Sequence, residues 1–214
     1  MFKIDFNDPI HVHFIGIGGI SMSGLAEILI DKGFTVSGSD MNPSELTEKL
    51  KSLGAVINCP QDGGNITADI DAVVYTAAIH PGNPEYDAAK EAGLPMIGRA
   101  DLLGQIMSNY ANSVAVSGTH GKTTTTSMLS LMMLEADLDP TISVGGILEE
   151  IGGNIRLGHS DCFITEACEY TNSFLALNPR ISVILNIEED HLDFFKNLRD
   201  IRHSFRIFAE KTSP

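Results

Sequence analysis

The sequence predicts an α/β protein built as two successive units, and three observations carry that expectation. Short apolar runs alternate with helix-like segments, a glycine-rich turn follows the first run, and a second turn ending in Gly-Lys-Thr follows a run near mid-chain. From the N-terminus, residues 11–16 read as a strand, 21–32 as a helix, 34–40 as a strand and 43–53 as a helix. Strand-like 72–76, helix-like 84–92, short 95–98 and helix-like 100–109 complete a first domain, residues 1–110, with a boundary expected near residues 110–112. The second domain, residues 111–214, opens with a strand at 113–117. A helix follows on which Met128, Leu131, Met132 and Glu135 recur at helical spacing, and Met128, Met132 and Met133 are expected to pack in the core. Further strands are expected at about 142–144, Cys162–Glu166 and 181–186. No tandem repeat or low-complexity stretch interrupts the pattern.

At 214 residues and 43% apolar content, with mean hydropathy near zero, the chain has material for real cores and is not expected to be disordered. Its 28 acids against 14 Lys and Arg give a net charge of -14, which opposes nucleic acid as a partner. Binding of anionic phosphate must therefore rest on local groups, so Lys122, Arg99, Arg156 and the glycine loops gain weight. Cys59, Cys162 and Cys168 are odd in number and lack C-x-x-C spacing, so buried thiols are expected rather than a disulfide framework or a zinc site. No charged-then-apolar leader opens the chain and no apolar run approaches the ~20 residues that span a bilayer. The expected compartment is the cytoplasm, with no membrane association.

The strand at 113–117 feeds Gly118-Thr119-His120-Gly121-Lys122-Thr123-Thr124 at a helix start. The two glycines permit backbone angles closed to other residues, Lys122 adds a cation and the helix N-terminus a partial positive charge, while the Thr123 hydroxyl suits magnesium. Each part favours a nucleotide triphosphate. The usual G-x-x-x-x-G-K-[ST] pattern is incomplete, because Val116 stands at its first glycine, and a plain strand-to-helix turn with an exposed lysine is the alternative.

Earlier, Gly16, Gly18 and Gly19 leave the first strand and Asp40 ends the second, as in a site for a nucleotide diphosphate whose ribose meets an acid. Ser21 occupies the third glycine position of G-x-G-x-x-G, so NAD is weakly indicated, and glycines serving only tight packing are the alternative. Glu166 ends one strand of the second domain, and Glu188, Glu189, Asp190, His191 and Asp193 follow another. Ligands of open parallel sheets gather at these carboxyl ends, so Glu166 and His191 would reach one magnesium-phosphate cluster. A solvated histidine at a helix start, and Asp190 and Asp193 as helix N-terminal acids that simply favour the helix dipole, remain open. Arg99 follows a short strand, where it would meet an anion or simply solvent.

Taken together, residues 16–26, 118–124, 166–169 and 186–193 resemble the Mur ligases across essentially the whole chain. His120, residues 75–79 and Arg99-Ala100-Asp101 resemble the alanine-adding branch. The resemblance implies a Rossmann-like N-terminal parallel-sheet domain that binds a UDP-sugar, followed by a partial P-loop α/β domain for ATP. It further implies ATP-dependent joining of UDP-N-acetylmuramate to L-alanine through an acyl phosphate, in peptidoglycan precursor synthesis. Gly16, Gly18, Gly19, Ser23 and Asp40 would cradle the UDP portion, with Thr76, Ala77 and Arg99 nearby. Gly118, Thr119, His120, Gly121, Lys122, Thr123 and Thr124 would hold ATP, with Lys122 and His191 as catalytic groups. Thr123 and Glu166 would hold one Mg2+ and His191 a second. The family's third domain has no counterpart here, so a fragment or truncated relative, inactive alone, is expected. The alternatives are a catalytically silent UDP-sugar-binding module and a nicotinamide-dependent oxidoreductase, the latter leaving the second loop without a use.

Overall fold

Val12 and Phe14 alternate with His13 and Ile15, so the first strand, β1 (His11–Ile15), buries both of its faces, as a central parallel strand must. The computed structural model describes residues 2–212; Met1, Ser213 and Pro214, at the outer ends of the expected domains, lie outside the described residues. The chain divides into two units, Met1–Leu102 and Leu103–Pro214, each with its own sheet.

In the first unit β1 is followed by α1 (Ile20–Asp31), β2 (Thr35–Ser39), α2 (Glu45–Ser52), β3 (Val56–Asn58), β4 (Ala72–Tyr75), α3 (Pro84–Glu91), β5 (Met96–Gly98) and α4 (Arg99–Met107), which runs across the division. The sheet is wholly parallel in the order β3-β2-β1-β4-β5, so the chain reverses its direction of travel between β1 and β4. Ser44 caps α2 in a reciprocal box with Thr47, and Asn83 caps α3 ahead of Pro84.

One sheet face holds a polar column. His13 meets the Ser37 hydroxyl at 2.9 Å and Glu85 at 3.5 Å, and Glu85, fully buried, also accepts from Ser39, Asn65 and the Asp62 N–H. Burial alone would raise the Glu85 carboxyl; the hydrogen bonds from His13, Ser39 and Asn65 outweigh it and hold it below its ordinary value.

The second unit carries β6 (Asn112–Ser117), α5 (Lys122–Glu135), β7 (Thr141–Leu148), β8 (Gly153–Arg156), β9 (Cys162–Glu166), β10 (Ile181–Ile184) and α6 (Leu198–Glu210). Its order is β10-β6-β9-β7-β8, parallel except for β8.

Several expectations need correction. Met128 and Met132 are 60% and 67% exposed, because α5 buries Thr126 and Ser130, whose small side chains let its backbone lie close. Cys59 and Cys168 are exposed and Cys162 half-buried; all three are free, on loops and at a strand end rather than in a core. Arg156 is spent on the Asp139 carboxylate, 2.6 Å away, and on the Pro140 carbonyl. The elements β3, β8 and α6 went unforeseen. Among the described residues no helix is long and apolar enough to cross a membrane.

Candidate functional site

Each sheet carries a glycine-bracketed turn at the carboxyl end of an interior strand. In the first unit Gly16 takes a positive φ of 84°, and the N–H groups of Gly16 and Ile17 both donate to the Ser39 carbonyl at 2.9 Å. Gly18 N–H donates to Asp40 at 2.9 Å, and Gly19 N–H reaches back to Gly16. The loop's amides are thus spent internally. α1 begins at Gly19 without a side-chain cap, so its N-terminus is the loop's electropositive feature. A Cβ on Gly18 would stand 2.8 Å from the Asp40 carboxylate, which explains the glycine there.

The other candidates of this unit divide. Thr76 lies against Gly16, its Cγ2 3.2 Å from where a Gly16 Cβ would be, and its hydroxyl accepts from Ala78 N–H, which folds the turn containing Ala77. Arg99 reaches Ser21, in the first turn of α1, at 3.1 Å, so it joins the glycine loop. Ser23 is buried and bonds back into the same turn, its hydroxyl to the Ile20 carbonyl and its N–H to the Gly19 carbonyl. Asp40 acts on the loop's own backbone.

In the second unit Gly118 and Gly121 take φ of 143° and 84°, and α5 starts at Lys122 without a side-chain cap. The segment after β10 clamps this loop. Thr119 N–H donates to the Asn186 carbonyl, while the Asn186 side chain exchanges two hydrogen bonds with the His120 backbone, at 2.9 and 3.0 Å. Glu188 N–H donates to the Thr119 hydroxyl. The His120 ring is itself exposed, 3.8 Å from Glu188, and Thr124 is exposed in the first turn of α5.

Lys122 folds back over the loop. Its Nζ contacts the Gly118 carbonyl at 2.6 Å, the Thr119 carbonyl at 3.2 Å and both oxygens of Glu169 at 3.0 and 2.9 Å. The Thr123 hydroxyl meets Glu166 at 3.1 Å, whose other oxygen accepts from Gly145 N–H at 2.6 Å. These two oxygen donors suit magnesium, which takes few protein ligands and completes its shell with water and phosphate. Among the described residues no group of three or more His, Cys, Asp and Glu is arranged to hold a metal. His191 faces Glu169 at 3.8 Å and lies against Tyr170, 4.6 Å between ring centres with the planes tilted by 32°. Tyr170 donates to Asp193 at 2.8 Å, and that carboxylate raises the phenol above its ordinary value. Neither Asp190 nor Asp193 stands in the first turn of a helix; both precede α6, Asp193 in a turn. Glu169 and Asn186 are the residues that sequence reasoning passed over. Both sit inside the quoted motifs, which was the available signal.

Comparison with known proteins fits both halves. Residues 11–111 match the Mur ligase family, catalytic domain, and residues 116–214 the Mur ligase middle domain. The chain is 67% identical over 211 residues to the UDP-N-acetylmuramate--L-alanine ligase of Lachnospira eligens and 66% identical over 212 residues to that of Agathobacter rectalis. Each match covers 99% of this chain and 46% of the relative, so the chain spans about half the length of the curated relatives it matches. Among solved structures, the UDP-N-acetylmuramate-alanine ligase of Thermotoga maritima superposes with a TM-score of 0.83 at 32% identity, over 95% of this chain and 47% of that one. The UDP-N-acetylmuramate:L-alanyl-gamma-D-glutamyl-meso-diaminopimelate ligase from Neisseria meningitides gives 0.85 at 32% identity, over 96% of this chain and 69% of that one. With both halves matched in order and more than two thirds of a solved relative covered, this chain belongs to the Mur ligase family.

Proposed function

We propose that residues 1–110 bind a UDP-sugar and residues 111–214 form the opening part of an ATP site, in a cytoplasmic ligase that joins L-alanine to UDP-N-acetylmuramate. The observation that carries the reading is the Thr123–Glu166 oxygen pair, set beside Lys122 at the uncapped start of α5. A carboxylate and a triphosphate repel, so bringing them together needs cations and fixed dipoles where the phosphoryl charge develops. The carboxylate oxygen attacks the γ-phosphorus and ADP leaves; the alanine amine then attacks the acyl carbon, phosphate leaves, and the amine sheds a proton.

In this reading Lys122 neutralises the transferring phosphoryl group, the α5 N-terminus faces the phosphates, and the Asn186 clamp keeps the loop from opening. Thr123 and Glu166 would hold a magnesium ion, and His191 a second; the metal supplies charge neutralisation on the phosphate oxygens. In the first unit the α1 N-terminus and Arg99 would meet the diphosphate, with Thr76 and Ala77 alongside.

Titration calorimetry on the 214-residue chain with UDP-N-acetylmuramate, ATP with magnesium, and NADH tests the reading. The first two should bind and NADH should not. Binding of the UDP-sugar alone would favour a module without catalysis, and NADH binding an oxidoreductase. Amide formation is to be assayed by mass spectrometry in a chain of the relatives' full length.

A further inference from the structure

Glu169 is an acid for which the proposed reaction has no task, yet it is 2% exposed and places both oxygens on the Lys122 ammonium. An ammonium has three protons. Those of Lys122 face Glu169 and the carbonyls of Gly118 and Thr119. The carbonyls belong to the loop and travel with it; Glu169 is a separate charge on a separate segment, after β9. That segment is held in unusual backbone conformations, with Thr171 and Asn172 at φ of 54° and 59°, a costly arrangement for a β-branched residue. The Asn172 N–H donates to the Glu169 carbonyl and the Phe174 N–H to the Cys168 carbonyl, each at 2.9 Å, which fixes the chain around Glu169. Glu169 has a second cation-forming group within reach, His191 Nε2, 3.8 Å from the Oε1 that Lys122 also contacts.

We propose that Glu169 is a positioning residue with a regulatory consequence: it holds Lys122 along the loop and competes with nucleotide phosphate for the same ammonium, setting polyphosphate affinity below what the loop alone would give. The inference rests on the reading of residues 118–124 as a phosphate site. A phosphate that takes Lys122 must draw it from the carboxylate, so loss of the Glu169 charge strengthens binding. A merely structural ion pair would give the opposite sign, since weakening it would loosen the loop and lower affinity.

The test uses Glu169→Gln, which keeps the shape and one acceptor oxygen while removing the charge, in the 214-residue chain. Calorimetry with inorganic tripolyphosphate and with magnesium ATP should show binding about tenfold tighter than in the wild type. UDP-N-acetylmuramate affinity should be unchanged. The gain should vanish in Lys122→Ala/Glu169→Gln. Should Glu169→Gln fail to fold, Glu169→Asp serves, since drawing the carboxylate back by one methylene should tighten polyphosphate binding by a smaller factor. Wild-type binding of polyphosphate with equal or weaker binding in a folded variant overturns the competition and leaves the phosphate site standing. Absence of polyphosphate binding in the wild type and in every variant overturns both.

Discussion

Gly18 and Asp40 form one device, so their substitutions should not add. A side chain at Gly18 would press on the Asp40 carboxylate, and Asp40→Ala would free the Gly18 N–H; both undo the same hydrogen bond. Gly18→Val and Asp40→Ala should each weaken UDP-sugar binding by ~1.5 to 3 kcal/mol, with the double variant no worse than the weaker single one by calorimetry. Lys122→Ala strands Glu169, which is 2% exposed, and should lower stability by about 3 kcal/mol in urea denaturation. Lys122→Ala/Glu169→Ala should recover most of that loss. In a chain of full length the lysine variant should also reduce turnover by ~10² or more while UDP-sugar affinity holds. Lys122 and Thr123 could be picked out as candidates because their pattern is local: a strand end, a glycine, a cation and a hydroxyl in fixed spacing; Glu166 could be picked out because it ends a strand. The partnership of Lys122 with Glu169 was not, since it joins segments that only the folded sheet brings together.

At the scale of elements, the turn between α5 and β7 depends on Asp139, which takes φ of 42° and accepts from His159 N–H and Arg156. Those partners pull its carboxyl down to about 2 from 3.8, the His159 backbone hydrogen bond first and Arg156 next. A depressed folded value means stability that is complete above the unfolded pKa and fades as the pH falls from about 4 towards about 2. Asp139→Asn, tolerated at that backbone angle, should therefore be less stable than wild type at neutral pH, the two curves converging at the acid end; urea midpoints across pH read this directly. The alternation of strands and helices in the first unit was plain from periodicity. Two short strands escaped it: β3 spans three residues at a sheet edge, and β8 opens on glycine and pairs antiparallel. α5 misled because a helix can rest on Thr126 and Ser130, which hydropathy does not mark as a core face.

For the whole molecule, a parallel sheet in the first unit and an α/β second unit were legible from the alternation of strands and helices, whereas the strand orders, the register and the reversed edge strand were not. Composition limits what a chain can bury, but the side on which each crossover returns is settled by twist and packing between distant strands. In both sheets the strand that launches the glycine turn, β1 or β6, is hydrogen-bonded on either side along its length. Such strands cannot fray. Their amide protons exchange with solvent only when the whole unit opens, while edge strands β3 and β8 open at far lower cost. Deuterium uptake at Phe14 and Ala115 should thus be the slowest in their units, and that at Ile57 and Ile155 much faster. Each turn is consequently a short connection fastened to the least yielding part of its sheet, so the slowing that a bound nucleotide imposes on exchange should appear in the turn's own amides and leave the strand behind it unchanged.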